Sequence, residues 1–187
     1  MQPDRSDADL VLACRLGDED AYRVLVERFE QRAVRLARNL VGNAESARDI
    51  AQEAFLRVFR NIGRFDTARN FYTWLYQIVT NLSIDHLRRH GRQKPVDFEQ
   101  AGGLADTAPD AGERSLQSDL KRRVERALDR LPPKYKAAIV LRDIQGFSCQ
   151  EIAEIAGCNN ATARWRLHRA RRMFKAIWLG QQEEVAE

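Results

Sequence analysis

Cysteine is scarce in this chain of 187 residues: Cys14, Cys149 and Cys158 are the three, and no CxxC pair occurs. An odd count leaves at least one thiol free, which excludes a fully paired disulfide scaffold and suits a reducing compartment. Cys149, Cys158 and the distant His168 offer too few ligands for a zinc site. Long apolar runs are missing as well. No stretch approaches the roughly 20 residues that cross a bilayer, and the opening "MQPDRSDADL" lacks the basic-then-apolar pattern of a signal peptide. A soluble, cytoplasmic chain without stable membrane insertion is expected. The sequence also shows no phosphate-binding glycine loop, no nucleophile beside a base and no metal cluster. Asp49 and Glu53 as an acid–base pair would stand unsupported, so no enzyme and no cofactor is expected.

Alternation with period two is rare, and the 10 glycines and 5 prolines fall mostly at joints. Helical periodicity covers 7–16, 21–41, 45–62 and 70–89, with Gly17, Gly42, Gly63 and Gly91 close behind. A glycine just past the last periodic position is a frequent helix stop, because it accepts the left-handed conformation without a Cβ clash. Periodicity then disappears through "PVDFEQAGGLADTAPDAGERSLQS", whose Gly, Ala, Pro and acids are those of a flexible linker. Helical pattern resumes over 120–131, breaks at Pro132 and Pro133, runs from 134 to 145, and continues after Gly146 as two short helices. The expected fold class is all-α: two small helical domains, 1–94 and 118–180, joined by an acidic linker 95–117 and followed by an acidic tail 181–187.

What the chain has in quantity is charge, and the charge is segregated. Lys and Arg number 31 against 27 Asp and Glu, a net +4. Yet 160–175 carries six cations and no acid, and Arg88, Arg89, Arg92 and Lys94 form a second basic cluster. The linker region holds Asp97, Glu99, Asp106, Asp110, Glu113 and Asp119 against Arg114 alone. Distribution of this kind says more about partners than the total does.

The basic stretch is "GCNNATARWRLHRARRMFK". Ala163, Leu167, Ala170, Phe174 and Ile177 fall on one face of a helix, and Trp165 lies opposite with His168, Arg169 and Arg172. Ahead of it, Ser148 and Glu151 have the spacing of a capping box. Ile152, Ala153, Ile155 and Ala156 supply a buried side, Gly157 ends that helix, and Asn159 or Asn160 caps the next. This is the pattern of a DNA-binding helix-turn-helix, whose second helix enters the major groove. Arg164, Trp165 and His168 then address base edges, and Arg166, Arg169, Arg171 and Arg172 address phosphates. The alternative is a solvated basic face with Trp165 covering a neighbouring helix.

In the N-terminal half, "DIAQEAFLRVFRNIGRF" buries Ala51, Ala54, Phe55, Val58 and Ile62 and leaves Asp49, Gln52, Glu53, Leu56 and Arg60 opposite, with Phe59 nearby. Leu56 among acids suggests a protein partner, unless a helix of the same domain covers it. In "FYTWLYQIVTNLSIDHLRRHGR", Phe71, Leu75, Ile78, Val79 and Leu82 form the core side. Trp74, Gln77, Asn81 and Arg88 run along its edge, with Tyr72 and Tyr76 on the other flank. Rings beside amides and a basic end suit single-stranded DNA, on which bases stack and cations follow the backbone. Aromatic spacing on a helix more often marks core packing, and that is the expected role of Phe71 and Trp74.

Together "DIAQEAFLRVFRNI", "FYTWLYQIVTNLSIDHLRR" and "LPPKYKAAIVLRDIQGFSCQEIAEIAG" resemble bacterial sigma factors of the extracytoplasmic-function type, group IV of the sigma-70 family. The likeness covers almost the whole chain in collinear order. It implies a transcription initiation factor that binds core RNA polymerase and directs it to promoters. Its first domain, region 2, would dock on the β′ clamp helices through Asp49, Gln52, Glu53 and Leu56, and would recognise and melt the −10 element. The loop 63–70, with Arg69 and Asn70, would join Tyr72, Trp74, Gln77, Asn81 and Arg88 there, the loop and Asn81 matching the pocket for a flipped base. Region 4 would bind the −35 duplex and the β-flap. The linker acids would stand in for phosphates in the RNA channel, and an anti-sigma factor is an implied partner. Trp165 departs from the family, standing where a small Ser is usual. The competing reading is a stand-alone helix-turn-helix regulator whose N-terminal half senses a ligand or dimerises.

Overall fold

The computed structural model describes residues 5–91 and 113–186, and every regular element among them is helical. The first four helices are α1 (Asp7–Arg15), α2 (Glu19–Val41), α3 (Ala44–Asn61) and α4 (Phe71–Gly91). The first three starts have a local cause. Ser6 and Asp9 form a capping box at α1, and Asp18 and Asn43 accept the backbone N–H of Ala21 and Ser46 at α2 and α3. Gly42 ends α2 at φ 76°, a conformation that a Cβ would strain. Helices α2, α3 and α4 pack on one another with α1 laid across them. Leu25, Leu36 and Leu40 of α2, Val58 of α3 and Leu75 and Val79 of α4 form a fully buried centre. A short 3-10 turn, Ile62–Arg64, then leads into the loop before α4. Arg15 ties that loop down by donating to the carbonyl oxygens of Ile62 and Phe65.

The second half contains α5 (Glu113–Asp129), α6 (Pro133–Ile139), α7 (Cys149–Ile155) and α8 (Asn160–Ala186). Helix α5 begins inside the segment 95–117 expected to be linker; residues 92–112 lie outside the described part, as do most of the linker acids. Pro133 opens α6, where its missing N–H costs nothing. The helix then widens into a π turn, Val140–Ile144. The Arg142 guanidinium secures the following loop by donating to the Phe147 carbonyl at 2.8 Å.

One sequence expectation changes here. The last element is not short: α8 runs for 27 residues, through the region expected to be a tail as far as Ala186. Its apolar stripe extends past the turn region, because Ala170, Phe174 and Ile177 pack with Val124, Leu128 and Leu131. Arg123 lies 5.0 Å over the Trp178 ring and closes that end. The two halves also pack on one another. Helix α4 packs against α6 and α7, and Val140, Leu141, Ile152, Ile155 and Ala163 belong to the same buried cluster as Leu75 and Val79. The periodicity of each half is locally complete, so nothing in it reveals that the flank of α4 has a partner in the other half.

Candidate nucleic-acid interface

The basic face expected of the second half is built by α7 and α8. Ser148 accepts from the Glu151 N–H while Glu151 Oε2 accepts from the Ser148 N–H at 2.8 Å, a reciprocal cap that fixes where α7 begins. Gly157, at φ 60°, makes the turn, and Asn159 caps α8 by accepting from Thr162. Ala163, Leu167 and Ala170 are buried, so the opposite side of α8 must face outward. There Trp165 is 56% exposed, with the Arg169 guanidinium 5.7 Å from its ring centre. Arg164, His168 and Arg172 are exposed beside it. Arg171 is exposed but engaged, donating through Nε and Nη2 to the Asp143 carboxylate. Arg166 differs from the rest: it is half-buried and lines a cleft facing α4.

The first half carries two further surfaces. On α3, Asp49, Gln52 and Leu56 are exposed together, and Glu53 accepts from Arg57 at 2.8 Å. Leu56 is 45% and Phe59 54% exposed, so no helix of the described residues covers them fully. The edge of Phe59 meets Tyr22 at 5.0 Å between centroids, which holds the ring out from the bundle. The other surface is the loop before α4. Arg69 and Trp74 line a cleft of about 380 Å³ with Phe65, and Arg57, Asn61, Arg64, Asp66 and Ile78 complete it. Trp74 stacks on Phe65 at 4.6 Å, and Asn70 is exposed at the rim of α4. Asn81 and Arg88 do not line this cleft. They line a second one, between α4 and the other half, with Lys134 and Arg166.

Tyr72 and Gln77 face the seam between the halves. Tyr72 Oη donates to Glu151 Oε1 at 2.5 Å. That bond pushes the phenol up to about 12 and holds the carboxyl below the usual carboxylate range. Phe147 stacks against Tyr72 and meets Tyr76 edge-on, at 6.3 and 5.5 Å. Gln77 approaches Gly157, where an added Cβ would sit 3.4 Å from Nε2. Phe147 was not singled out from the sequence, and Glu151 only as half of a capping box, so their meeting with Tyr72 was not expected. Their only signals were an aromatic in a polar turn and a capping box that already explained the Glu.

The chain matches the family model for sigma-70 region 2 over residues 25–93 and that for sigma-70 region 4 over residues 121–174. These are the two halves of the molecule. The chain is an extracytoplasmic-function sigma factor of the sigma-70 family. It is 36% identical over 167 residues to the ECF RNA polymerase sigma factor SigW of Bacillus subtilis, covering 85% of this chain and 89% of that one. It is also 36% identical over 180 residues to the ECF sigma factor SigE of Mycolicibacterium smegmatis, covering 91% and 68%. Among solved structures, CnrH in complex with the cytosolic domain of CnrY has the same fold, with a TM-score of 0.68 at 24% identity over 91% of this chain and 96% of that one. As a sigma factor the chain is a transcription initiation factor that directs RNA polymerase to promoters. The region 2 match falls on α2–α4 and the region 4 match on α5–α8. No described helix is long and apolar enough to cross a membrane.

Proposed function

We propose that three surfaces of this sigma factor divide the work of initiation. Asp49, Gln52, Glu53 and Leu56 on α3, extended by Phe59, bind the β′ clamp helices of core polymerase. Arg164, Trp165, His168, Arg169 and Arg172 read and hold the −35 duplex, and Arg171 reaches phosphate by leaving Asp143. The cleft under the loop before α4 takes an unstacked −10 base against Trp74, with Arg69, Arg64 and Arg57 toward phosphate. The observation that carries this reading is the outward face of α8: a half-exposed Trp165 surrounded by cations, on a helix whose other side is buried.

No covalent step is required of the chain. Stacking averages about 1.4 kcal/mol per step, so opening several base pairs costs a few kcal/mol. One base on an aromatic side chain returns about 1–3 kcal/mol. Polymerase contacts supply the remainder, so melting belongs to the holoenzyme. Tyr72 and Gln77 are covered by region 4 in the arrangement described above, and promoter reading requires that seam to open. A solved relative, RpoE of Bartonella quintana, is bound to the anti-sigma factor NepR; an anti-sigma partner that holds this chain inactive is part of the same reading. Run-off transcription with sigma-free core polymerase tests it. Promoter-specific transcripts that appear only when the chain is added are expected, and duplex binding without any polymerase dependence would instead support a stand-alone regulator.

A further inference from the structure

The seam between the halves contains a cleft of about 410 Å³ whose walls come from both. Arg57, already paired with Glu53 at 2.8 Å, and Arg88 stand on the region 2 side, and Lys134 and Arg166 on the region 4 side. Asp85 is the one acid among the lining residues, and Arg88 approaches it no closer than 4.0 Å. Lys134 and Arg166 have no carboxylate partner among the described residues. Cations crowded this way repel one another unless an anion lies between them. The floor is less polar: half-buried Ile84 lines it, with Leu141 and Ile152 buried beneath.

A separate observation points into the same space. Thr80 lines the cleft, is 1% exposed, and its Oγ1 has no hydrogen-bond partner. Hydroxyls inside helices usually donate to a carbonyl of the preceding turn. Thr73 and Ser83 of the same helix do so, to Asn70 and Val79, each at 2.8 Å. Thr80 does not, and a buried hydroxyl left unpaired is costly unless something else meets it.

We propose that this seam is a binding site for a small phosphorylated molecule, with phosphate oxygens held by Lys134, Arg166, Arg88 and the Thr80 hydroxyl and the rest of the molecule against Ile84. The volume is that of ordinary small-ligand pockets. Because the two walls belong to different halves, the ligand binds the packed arrangement and not an opened one. It therefore holds region 4 on region 2, and by linkage it lowers affinity for anything that needs the seam apart. The effect on transcription rests on the function proposed above; the binding does not.

Titration of the full chain with sodium pyrophosphate, ADP and adenosine, at ionic strength matched with sodium chloride, tests the site by calorimetry and by thermal unfolding. Pyrophosphate and ADP are expected to bind saturably and to raise Tm, and adenosine is not. Tighter binding of ADP identifies an organic phosphate as the ligand class; equal binding identifies the phosphate alone. Lys134 is exposed at the start of α6, so Lys134→Ala should fold normally and weaken binding about tenfold. Thr80→Val should weaken binding several-fold while raising the Tm of the ligand-free protein, two opposite effects that a packing defect does not produce. Absence of saturable binding, or binding unchanged in Lys134→Ala and Thr80→Val, overturns the proposal. Since the titration contains neither polymerase nor DNA, its result stands apart from the run-off assay.

Discussion

Tyr72 and Glu151, 79 positions apart in sequence, meet through a 2.5 Å hydrogen bond that joins region 2 to region 4. Glu151 thereby serves two elements at once, since its other oxygen caps α7. The bond raises the Tyr72 pKa from 10.0 to about 12 and lowers that of Glu151 from 4.5. The signs follow from linkage. A raised phenol contributes stability below pH 10 that is lost as pH climbs toward 12, and a depressed carboxyl contributes stability above 4.5 that is lost on acidification. The contact is therefore constant across physiological pH.

Tyr72→Phe keeps the ring against Phe147 and removes only the hydrogen bond. A bond of this kind is worth about 1 kcal/mol net, roughly a fivefold change in an opening equilibrium. Hydrogen exchange of the α7 amides should accelerate by about that factor, with overall unfolding little changed. Phe147→Ala should accelerate it further, because two ring contacts are lost. Unchanged exchange in both variants would mean that the seam is held elsewhere.

Trp165 is over half exposed, so its removal takes little from the core. Trp165→Ala should leave Tm unchanged and weaken −35 duplex binding by region 4 about tenfold, comparable to one good base contact at about 1–3 kcal/mol. Arg172→Ala should act differently: affinity falls on all sequences, and the slope of log K against log salt drops by about one. Competition binding on matched and scrambled duplexes at several salt concentrations separates the two.

Much of this was legible in the sequence, and the reasons differ by element. The capping box at Ser148 and Glu151, the turn at Gly157 and the outward Trp165 are local patterns, and each stands where spacing placed it. Asn159, rather than Asn160, carries the α8 cap. The exposed Leu56 followed from the apolar stripe of α3 lying opposite. Trp74, expected in the core, is only half-buried: it stacks on Phe65 and lines a cleft. What could not be read was long-range. Arg166 looks like its neighbours in a basic run, yet α8 turns it toward α4. Asn81 looked like part of the loop pocket, and one helical turn carries it to the other cleft. Periodicity gives the direction of a side chain relative to its own helix, and only the packing of the halves says what lies there.

Leu56 and Phe59 give a test of docking that leaves both DNA surfaces intact. Neither contributes to the buried centre, so Leu56→Asp and Phe59→Asp should fold with Tm close to that of the parent chain. Apolar anchors at the middle of an interface cost 2 kcal/mol or more when lost, about thirtyfold in affinity. Core polymerase binding measured by anisotropy should fall by at least that factor, while duplex binding by α8 is unaffected. Equal polymerase affinity in all three proteins would move the docking surface away from α3.

His86 supplies a pH dependence. It is half-buried on α4, its ring stacked on His90 at 4.0 Å, with Arg89 beside it and Asp49 facing it from α3. Burial, then the two neighbouring cationic groups, lower its pKa below 6.5, and Asp49 opposes them only in part. A base whose folded pKa is depressed favours the neutral form. Its contribution is complete above pH 6.5 and is lost as pH falls through the folded value, because the unfolded chain takes up the proton first. Urea midpoints of the full chain should therefore drop between pH 7.5 and 5.5, and His86→Gln should show a smaller drop over the same interval. Asp49→Asn should steepen it, since the one favourable charge for protonated His86 is then gone. A pH profile identical in all three proteins would show that the imidazole is solvated and that the α3–α4 contact does not bear on its proton.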